Sequence, residues 1–546
     1  MVKDKIIFPQ ELEVWYILPA IRKKLALALV KKGISQKEVA KIMNTSEATI
    51  THYKKDKRAK EDLLGNNVDD EIEKSVNVIV KDYGQFFPEV LRINNVLKDK
   101  GIICKIYEKK KDLKGKLPCQ HCKSGVDFCS SKQIVSLKTG NQKCGEDCEI
   151  YLDHSATTYV DSRVFEAMKP YFMEEYGNPS SFNSVGMRAK EVLDNCRARV
   201  AELIDAKYRE IIFTGSGTES VNLAIQGIAR AWKSSGRKGK AHIITNQTEH
   251  HAVLDTCEYL AKEEGFDVTY LKPDKYGVIN AEMVKKALRK NTILVTIMYA
   301  NNEVGTVNPI ARIAEVVKKF RKENANSVVF HTDACQAGGI LDINVEKLGV
   351  DLMTINGSKL YGPKGTGMLF VRSGVEIKPL MFGGGQEFGL RSSTENVPGI
   401  VGFTKALELA QESRVKESER LIKLRDDMIA RILKNVPDTV LNGHPIDRLP
   451  NNVNISFLNV EGESLLLHLN EKGVCASSGS ACTSKSLEPS HVLVSMGLPY
   501  ELAHGSIRFS LGKKTTKNDI DTVVKMLPKI VETLRIISPF KGKLEK

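Results

Sequence analysis

Six of the chain's eleven cysteines fall between Cys104 and Cys148, in a stretch rich in Lys, Ser and Gly. An odd count in a long chain with no secretion signal argues against a disulfide framework and for metal binding or thiol chemistry. Cys119-Gln-His-Cys122, with Cys104 before it and Cys129 after, supplies four thiolates. These suffice for an iron–sulfur cluster or a tetrahedral zinc, and the spacing does not choose between the metals. The other five cysteines are scattered, and Cys482 alone sits among Ser, Gly and Ala, in Ser477-Ser-Gly-Ser-Ala-Cys-Thr-Ser. That composition predicts a loop rather than a core strand, a setting in which a thiol can meet a substrate. Gly215-Ser-Gly-Thr-Glu-Ser offers an anion cradle, because glycines allow close backbone approach and a helix N-terminus presents free N–H groups.

The elements that must hold these groups differ along the chain. Between Ile17 and Ala59 the sequence reads as short helices, with Leu25, Leu27, Leu29 and Val30 ending at Gly33. Ser35 followed by Glu38 predicts a capping box that turns Val39, Ala40 and Ile42-Met43 inward. Ser46 predicts a second N-cap opening a helix from Glu47, so the two form a helix-turn-helix. Further helices are expected around Glu71–Lys81 and Pro88–Lys98. Residues 104–149 have too little apolar periodicity to form a core without a metal staple. From Ile150 onward, β-branched runs such as Glu210-Ile-Ile-Phe-Thr, His242-Ile-Ile-Thr, Thr292-Ile-Leu-Val-Thr-Ile and Val328-Val-Phe-His alternate with helical stretches. Such alternation predicts a parallel, doubly wound sheet with ligands beyond the C-terminal ends of its strands.

Eight motifs then occur in order: Ile150-Tyr-Leu-Asp-His-Ser-Ala-Thr-Thr, Phe213-Thr-Gly-Ser-Gly-Thr-Glu-Ser, Thr248-Glu-His-His, Asn301-Asn-Glu-Val-Gly, His331-Thr-Asp-Ala-Cys-Gln, Asn356-Gly-Ser-Lys-Leu-Tyr-Gly-Pro-Lys-Gly, the Cys482 segment, and Ser506-Ile-Arg-Phe-Ser-Leu-Gly. Their joint order, over about Tyr151 to Pro539, resembles the cysteine desulfurase family of fold-type-I pyridoxal-phosphate (PLP) enzymes. The resemblance implies a large doubly wound domain over 150–410 and a small α+β domain over 411–546, with residues 150–165 packing against the latter. An all-α helix-turn-helix domain over 1–103 and the cysteine-rich segment 104–149 precede them.

By the same resemblance Lys359 is the amine that holds PLP, Asp333 pairs with the pyridine nitrogen, and Gln336 bonds the ring hydroxyl. His250 stacks on the ring and passes protons, as a planar group titrating near neutrality can. Gly217 and Thr218 hold the phosphate, Asn302 contacts cofactor and substrate, and Thr394 is a phosphate ligand donated by a second subunit, so a homodimer is implied. Arg508 binds the substrate carboxylate with its planar fork. L-cysteine is the implied substrate. Its sulfur passes to Cys482 as a persulfide, L-alanine leaves, and the sulfur goes on to an acceptor or iron–sulfur scaffold protein. The chain departs from the family at Asn356 and Ser358, where Ser-Gly-His usually precedes the lysine, and at Gln386 and Phe388, where a His and an Arg are usual. Asn356 and Ser358 are expected to take up the altered phosphate contact.

Two other readings share the residues. A selenocysteine lyase or other class-V aminotransferase would keep Lys359, Asp333 and His250, but the Cys482 loop argues against the aminotransferase. A transcription regulator using the PLP fold as a sensor would tolerate loss of Cys482, and the intact set argues against it. Residues 1–150 carry 29 Lys and Arg against 21 Asp and Glu, +8 of the total +14. That basic excess favours an anionic partner. Residues 34–59 resemble the helix-turn-helix of lambda-repressor-like regulators, which would turn Thr49, Thr51, His52 and Lys54 toward duplex DNA; a helical docking module is the alternative. Cys144 and Cys148 are placed to replace one metal ligand or to receive sulfur from Cys482. No run of about 18 uncharged apolar residues occurs, and charges interrupt the N-terminus, so no membrane association and a cytoplasmic location are expected.

Overall fold

Leu18–Lys31 is a helix because its apolar residues recur every fourth position: Ile21, Leu25 and Leu29 are all fully buried, continuing the line from Ile17. The computed structural model describes residues 17–43, 45, 47–54, 64, 68–99, 149–325, 327–478 and 489–538. It divides into two compact units, residues 1–143 and 144–546.

In the first unit, helices Gln36–Ile42, Glu47–Lys54, Asp69–Ile79 and Phe86–Asp99 follow Leu18–Lys31. The expected capping box is present, with Glu38 N donating to Ser35 Oγ at 3.2 Å and Ser35 N to Glu38 Oε2 at 3.3 Å. Val39, Ala40, Met43, Ile50, Ile72, Val76, Ile93 and Leu97 complete one core with the first helix. Within it lies a polar knot. Ser75 Oγ donates to Glu89 at 2.5 Å, and Arg92 bridges Glu89 at 2.7 Å and Glu71 at 2.6 Å. The Arg92 guanidinium holds the Glu71 carboxyl down to about 2.

The second unit is built on a seven-stranded sheet in the order β2-β8-β7-β6-β5-β3-β4. Its strands are β2 Ile211–Thr214, β3 His242–Asn246, β4 Asp267–Leu271, β5 Thr292–Thr296, β6 Val329–Asp333, β7 Leu352–Asn356 and β8 Gly367–Val371. All neighbours run parallel except β8, which is antiparallel to both β2 and β7. β2, β3 and β5 are buried along their whole length, as strands covered on both faces must be. β9 Thr439–Leu441, β10 Asn452–Phe457 and β12 Ser506–Ser510 form a smaller antiparallel sheet. β1 Ile150–Tyr151 pairs with β11 Val474–Cys475, and Leu152 is buried in the smaller sheet's core. The sequence boundary expected at 410/411 falls inside one helix, Val397–Asn435, which continues from the larger core to the smaller.

A buried ion pair fastens the segment that precedes this helix. Arg197 meets Glu387 through two bonds of 2.7 Å, with the two side chains 4% and 2% exposed. Arg197 also donates to the Ile211 carbonyl, and Phe213 N donates to Glu387, so the pair ties Ser184–Ile204 to β2. Glu387 and Phe388 have φ of 49° and 57°, a left-handed conformation costly for side chains this large and held in place by these bonds. The Phe388 ring covers the Arg197 guanidinium at 5.0 Å. Removing one partner strands a buried charge, so Arg197→Met is expected to cost about 3–5 kcal/mol, read as a lowered midpoint in chemical denaturation.

Candidate active site

β6, β7 and the helix Gly217–Ser234 deliver their ends to one cavity of about 310 Å³. It is lined by Gly217, Thr218, His250, Asn302, Asp333, Gln336, Asn356, Lys359 and Arg508, which are nine of the residues expected from sequence. They converge because β6 and β7 are neighbours ending at Asp333 and Asn356, and Lys359 follows β7 by one short turn.

The cradle at Gly217 has no room for a side chain. A Cβ there would stand 2.7 Å from Cys335 Sγ and 3.2 Å from Asn356 Cβ. Ser216 caps the helix by accepting from Glu219 N at 3.1 Å, which leaves the helix start presented to the cavity. Asn356 Oδ1 accepts from Ser358 N and Ser358 Oγ, both at 3.2 Å. Its amide nitrogen therefore lies on the Gly217 side. Ser358 is spent on that bond and does not line the cavity, so of the two departures only Asn356 faces the cradle. Gln386 and Phe388 also stand outside the cavity, Gln386 accepting from Ser393 N.

Lys359 Nζ donates to the carbonyls of Ser155 and Ala156, at the cavity wall. Gln336 donates to the same Ser155 carbonyl at 3.0 Å. Asp333 Oδ1 accepts from Cys335 N at 2.9 Å. His250 is the N-cap of His251–Glu263, and its Nδ1 accepts from Ala252 N at 3.0 Å. Burial lowers its pKa, so the ring is neutral with its proton on Nε2. Beside it Glu249 is fully buried, and burial pushes its carboxyl well above the usual range. Oε1 accepts from Met298 N at 2.7 Å while Oε2 has no hydrogen-bond partner among the described residues, which suits a neutral acid.

Of the two adjacent asparagines, Asn301 builds the loop, its Oδ1 accepting from Glu303 N and Val304 N. Asn302 is left to line the cavity, and its carbonyl accepts from Arg508 Nη1 at 3.0 Å. Arg508 Nη2 meets Asp153 Oδ1 at 2.9 Å, while the buried Arg508 Nε has no hydrogen-bond partner among the described residues. Asp153, Glu303, Glu249 and Cys335 were not singled out from sequence, although each stands inside a quoted motif.

Thr394 is exposed and outside this chain's cavity. Cys482 lies outside the described residues. The strand ends nearest it are held: Ser477 exchanges backbone bonds with Arg508 at 3.1 and 2.7 Å. The four described cysteines are poor nucleophiles. Burial pushes the Cys196, Cys257 and Cys335 thiols up, and burial with the Glu149 carboxylate takes Cys475 to about 12.

In the first unit, Thr49 is buried, its hydroxyl 3.1 Å from that of Thr45, so it does not belong to an outward-facing surface. Thr51 is partly exposed and bonds the Glu47 carbonyl, Lys54 is exposed, and the His52 side chain lies outside the described residues. Cys104, Cys119, Cys122, Cys129, Cys144 and Cys148 also lie outside them. No helix among the described residues is long and apolar enough to cross a membrane.

The class-V aminotransferase profile matches residues 150–523, so the N-terminal 149 residues stand outside it. Cysteine desulfurase IscS of Dictyoglomus turgidum is 50% identical over 393 residues, 72% of this chain and 97% of its own. A solved NifS-like protein has a TM-score of 0.65 at 37% identity, over 71% of this chain and 100% of its own. SspA, solved in complex with cysteine, has a TM-score of 0.57 at 36% identity, over 66% and 98%. With a profile spanning most of the chain and a relative at half identity matched almost end to end, the chain belongs to the class-V aminotransferase family, among its PLP-dependent cysteine desulfurases.

Proposed function

We propose that this enzyme takes L-cysteine at the cavity around Lys359 and transfers its sulfur to Cys482, releasing L-alanine. The observation that carries the reading is the convergence of an amine, a carboxylate, a neutral imidazole and a buried guanidinium on one cavity beside a glycine-lined helix start. That set fits PLP: the side-chain-free cradle at Gly217 suits its phosphate, and Asp333 suits a protonated ring nitrogen. When bound, PLP supplies the electron sink that lets the α-carbon proton leave and the carbon–sulfur bond break.

The chain's own groups do the rest. Lys359 anchors the cofactor, with Thr218 and Asn356 at its phosphate and Gln336 at its ring hydroxyl. Arg508 and Asn302 orient the substrate, and His250 moves protons through Nε2. Cys482 thiolate attacks the substrate sulfur, forming a sulfur–sulfur bond as the carbon–sulfur bond breaks. The electron pair left on carbon takes a proton, so one thiol and cysteine become one persulfide and alanine. The test is incubation of the purified protein with L-cysteine and a reductant: alanine and sulfide in equal amounts support the reading, and cysteine left intact by PLP-loaded protein sinks it.

Homodimerisation is supported by apolar side chains left exposed between Phe172 and Met187, including Phe182 at 100%. Thr394 is then available to the second subunit's phosphate site. For the sulfur, an iron–sulfur scaffold or other acceptor protein is the proposed destination, and the cytoplasm the proposed compartment.

For the first unit, duplex DNA is the proposed partner, supported by the consecutive short helices Gln36–Ile42, with its capping box, and Glu47–Lys54, by the exposed Lys54 and by the basic excess. Binding by the full chain should weaken steeply with salt through counterion release, and Lys54→Ala should lower affinity for all sequences. No retention of duplex DNA at low salt would favour the docking module. Iron–sulfur or zinc binding by Cys104, Cys119, Cys122 and Cys129 rests on their sequence spacing and is tested by metal analysis of the full chain.

A further inference from the structure

We propose that Glu303 sets the pocket's affinity for the substrate's carboxylate: protonated, it leaves Arg508 to that group, and ionised, it repels it. The inference rests on the reading of Arg508 as the carboxylate site.

Glu303 lines the same cavity as Arg508 and is 4% exposed. Its position is fixed by backbone bonds. Its N–H donates to Asn301 Oδ1 at 2.8 Å, and its carbonyl accepts from the side chains of Asn452 at 3.1 Å and Asn454 at 3.0 Å, both on β10. These bonds hold the loop that carries the carboxyl, so the side chain starts from a fixed point on the cavity wall. Its hydrogen-bond partner is the Ser490 hydroxyl, which is uncharged, and Arg508 on β12, lining the same cavity, is the charged group that opposes the effect of burial on it. Arg508 is already partnered by Asp153 at 2.9 Å, on the chain just past β1. Among the described residues, the cavity's other titratable groups are His250, His251 and His491, Asp333, Cys335 and Lys359.

The charge count decides what Glu303 must do. One guanidinium and Asp153 already balance, so an incoming carboxylate brings the Arg508 end of the cavity to a net negative charge. An ionised Glu303 would add a second excess anion in a buried setting, where like charges repel strongly. Burial raises Glu303 to about 7, against the smaller opposing effects of the Ser490 hydroxyl and Arg508. The proton is therefore on below that pH and comes off above it. A bound carboxylate favours the protonated form further, so by linkage affinity is full on the acid side and falls as Glu303 ionises.

The test compares the PLP-loaded full-length enzyme with Glu303→Gln, which keeps the shape and an acceptor for Ser490 but cannot ionise. KM for L-cysteine is measured for both across the neutral range. Titration of the substrate's own amine and thiol affects both proteins alike, so the ratio of KM values isolates Glu303. The wild-type to variant ratio should rise about 3- to 10-fold from about pH 6 to about pH 8.5, since one unit of pKa coupling corresponds to tenfold. Glu303→Asp, which keeps an ionisable carboxyl, should retain the alkaline rise. A ratio flat within about twofold over that range, in enzymes that turn over cysteine, overturns the role of Glu303 and leaves the desulfurase reading standing. Absence of alanine from wild type instead removes the desulfurase reading on which the proposal rests.

Discussion

Lys359→Ala is expected to remove the covalently held cofactor and lower alanine formation by about 10²–10⁴-fold or more. Both effects follow from one position. Lys359 stands one short turn past β7, and its Nζ is held at the cavity wall by two carbonyls from the Ile150 motif. Among the described residues, no other lysine lines that cavity. The protein should remain folded, because Lys359 carries little of the sheet's packing, and its far-ultraviolet dichroism should match wild type. The measurement is the visible absorbance of the purified protein together with alanine release. A Lys359→Ala protein that keeps a borohydride-reducible cofactor and full turnover would remove Lys359 from its role.

Cys482→Ser should separate binding from transfer. Cofactor absorbance and its perturbation by L-cysteine should persist, because the cavity residues are untouched, while persulfide formation and catalytic alanine release fall by at least about 10²-fold. The environments of the four described thiols sharpen this expectation. Cys335, inside the cavity, is kept protonated by burial and by Asp333, and Cys475 is bound to Glu149, so neither offers a ready thiolate to take over. Persulfide that simply moves to Cys335 in the Cys482→Ser protein, with turnover retained, would contradict that ordering.

The site residues were legible through the resemblance of the ordered motifs to the cysteine desulfurase family, and they stand beside element boundaries: Asp333 and Asn356 end strands, Gly217 starts a helix, and His250 caps one. The capping box at Ser35 and Glu38 was readable from local patterning alone, because the cap and its partner lie three residues apart. What sequence patterning did not reveal were pairings made only when distant segments close. Arg508 and Asp153 are 355 residues apart, and Arg197 and Glu387 are 190 apart. Nothing in the spacing of either pair announces a buried ion pair. Ser358 was expected to face the phosphate from its place in the motif, but its short side chain finds Asn356 first, two residues away. Thr49 was expected to face outward on a short helix whose polar residues all looked alike. The neighbouring helix covers that turn, and Thr49 bonds to Thr45 within the unit. The antiparallel β8 was likewise unreadable, since a fully buried strand has the same composition in either direction.

The central claim is that sulfur from free cysteine reaches Cys482 through this cavity. It is tested most directly by a single turnover of PLP-loaded enzyme with limiting L-cysteine and no reductant, followed by alkylation and peptide mass spectrometry. The account predicts one sulfur added to the peptide containing Cys482, in an amount equal to the alanine released. Alanine released with the added sulfur on another cysteine, or cysteine consumed without any persulfide on the chain, would contradict it.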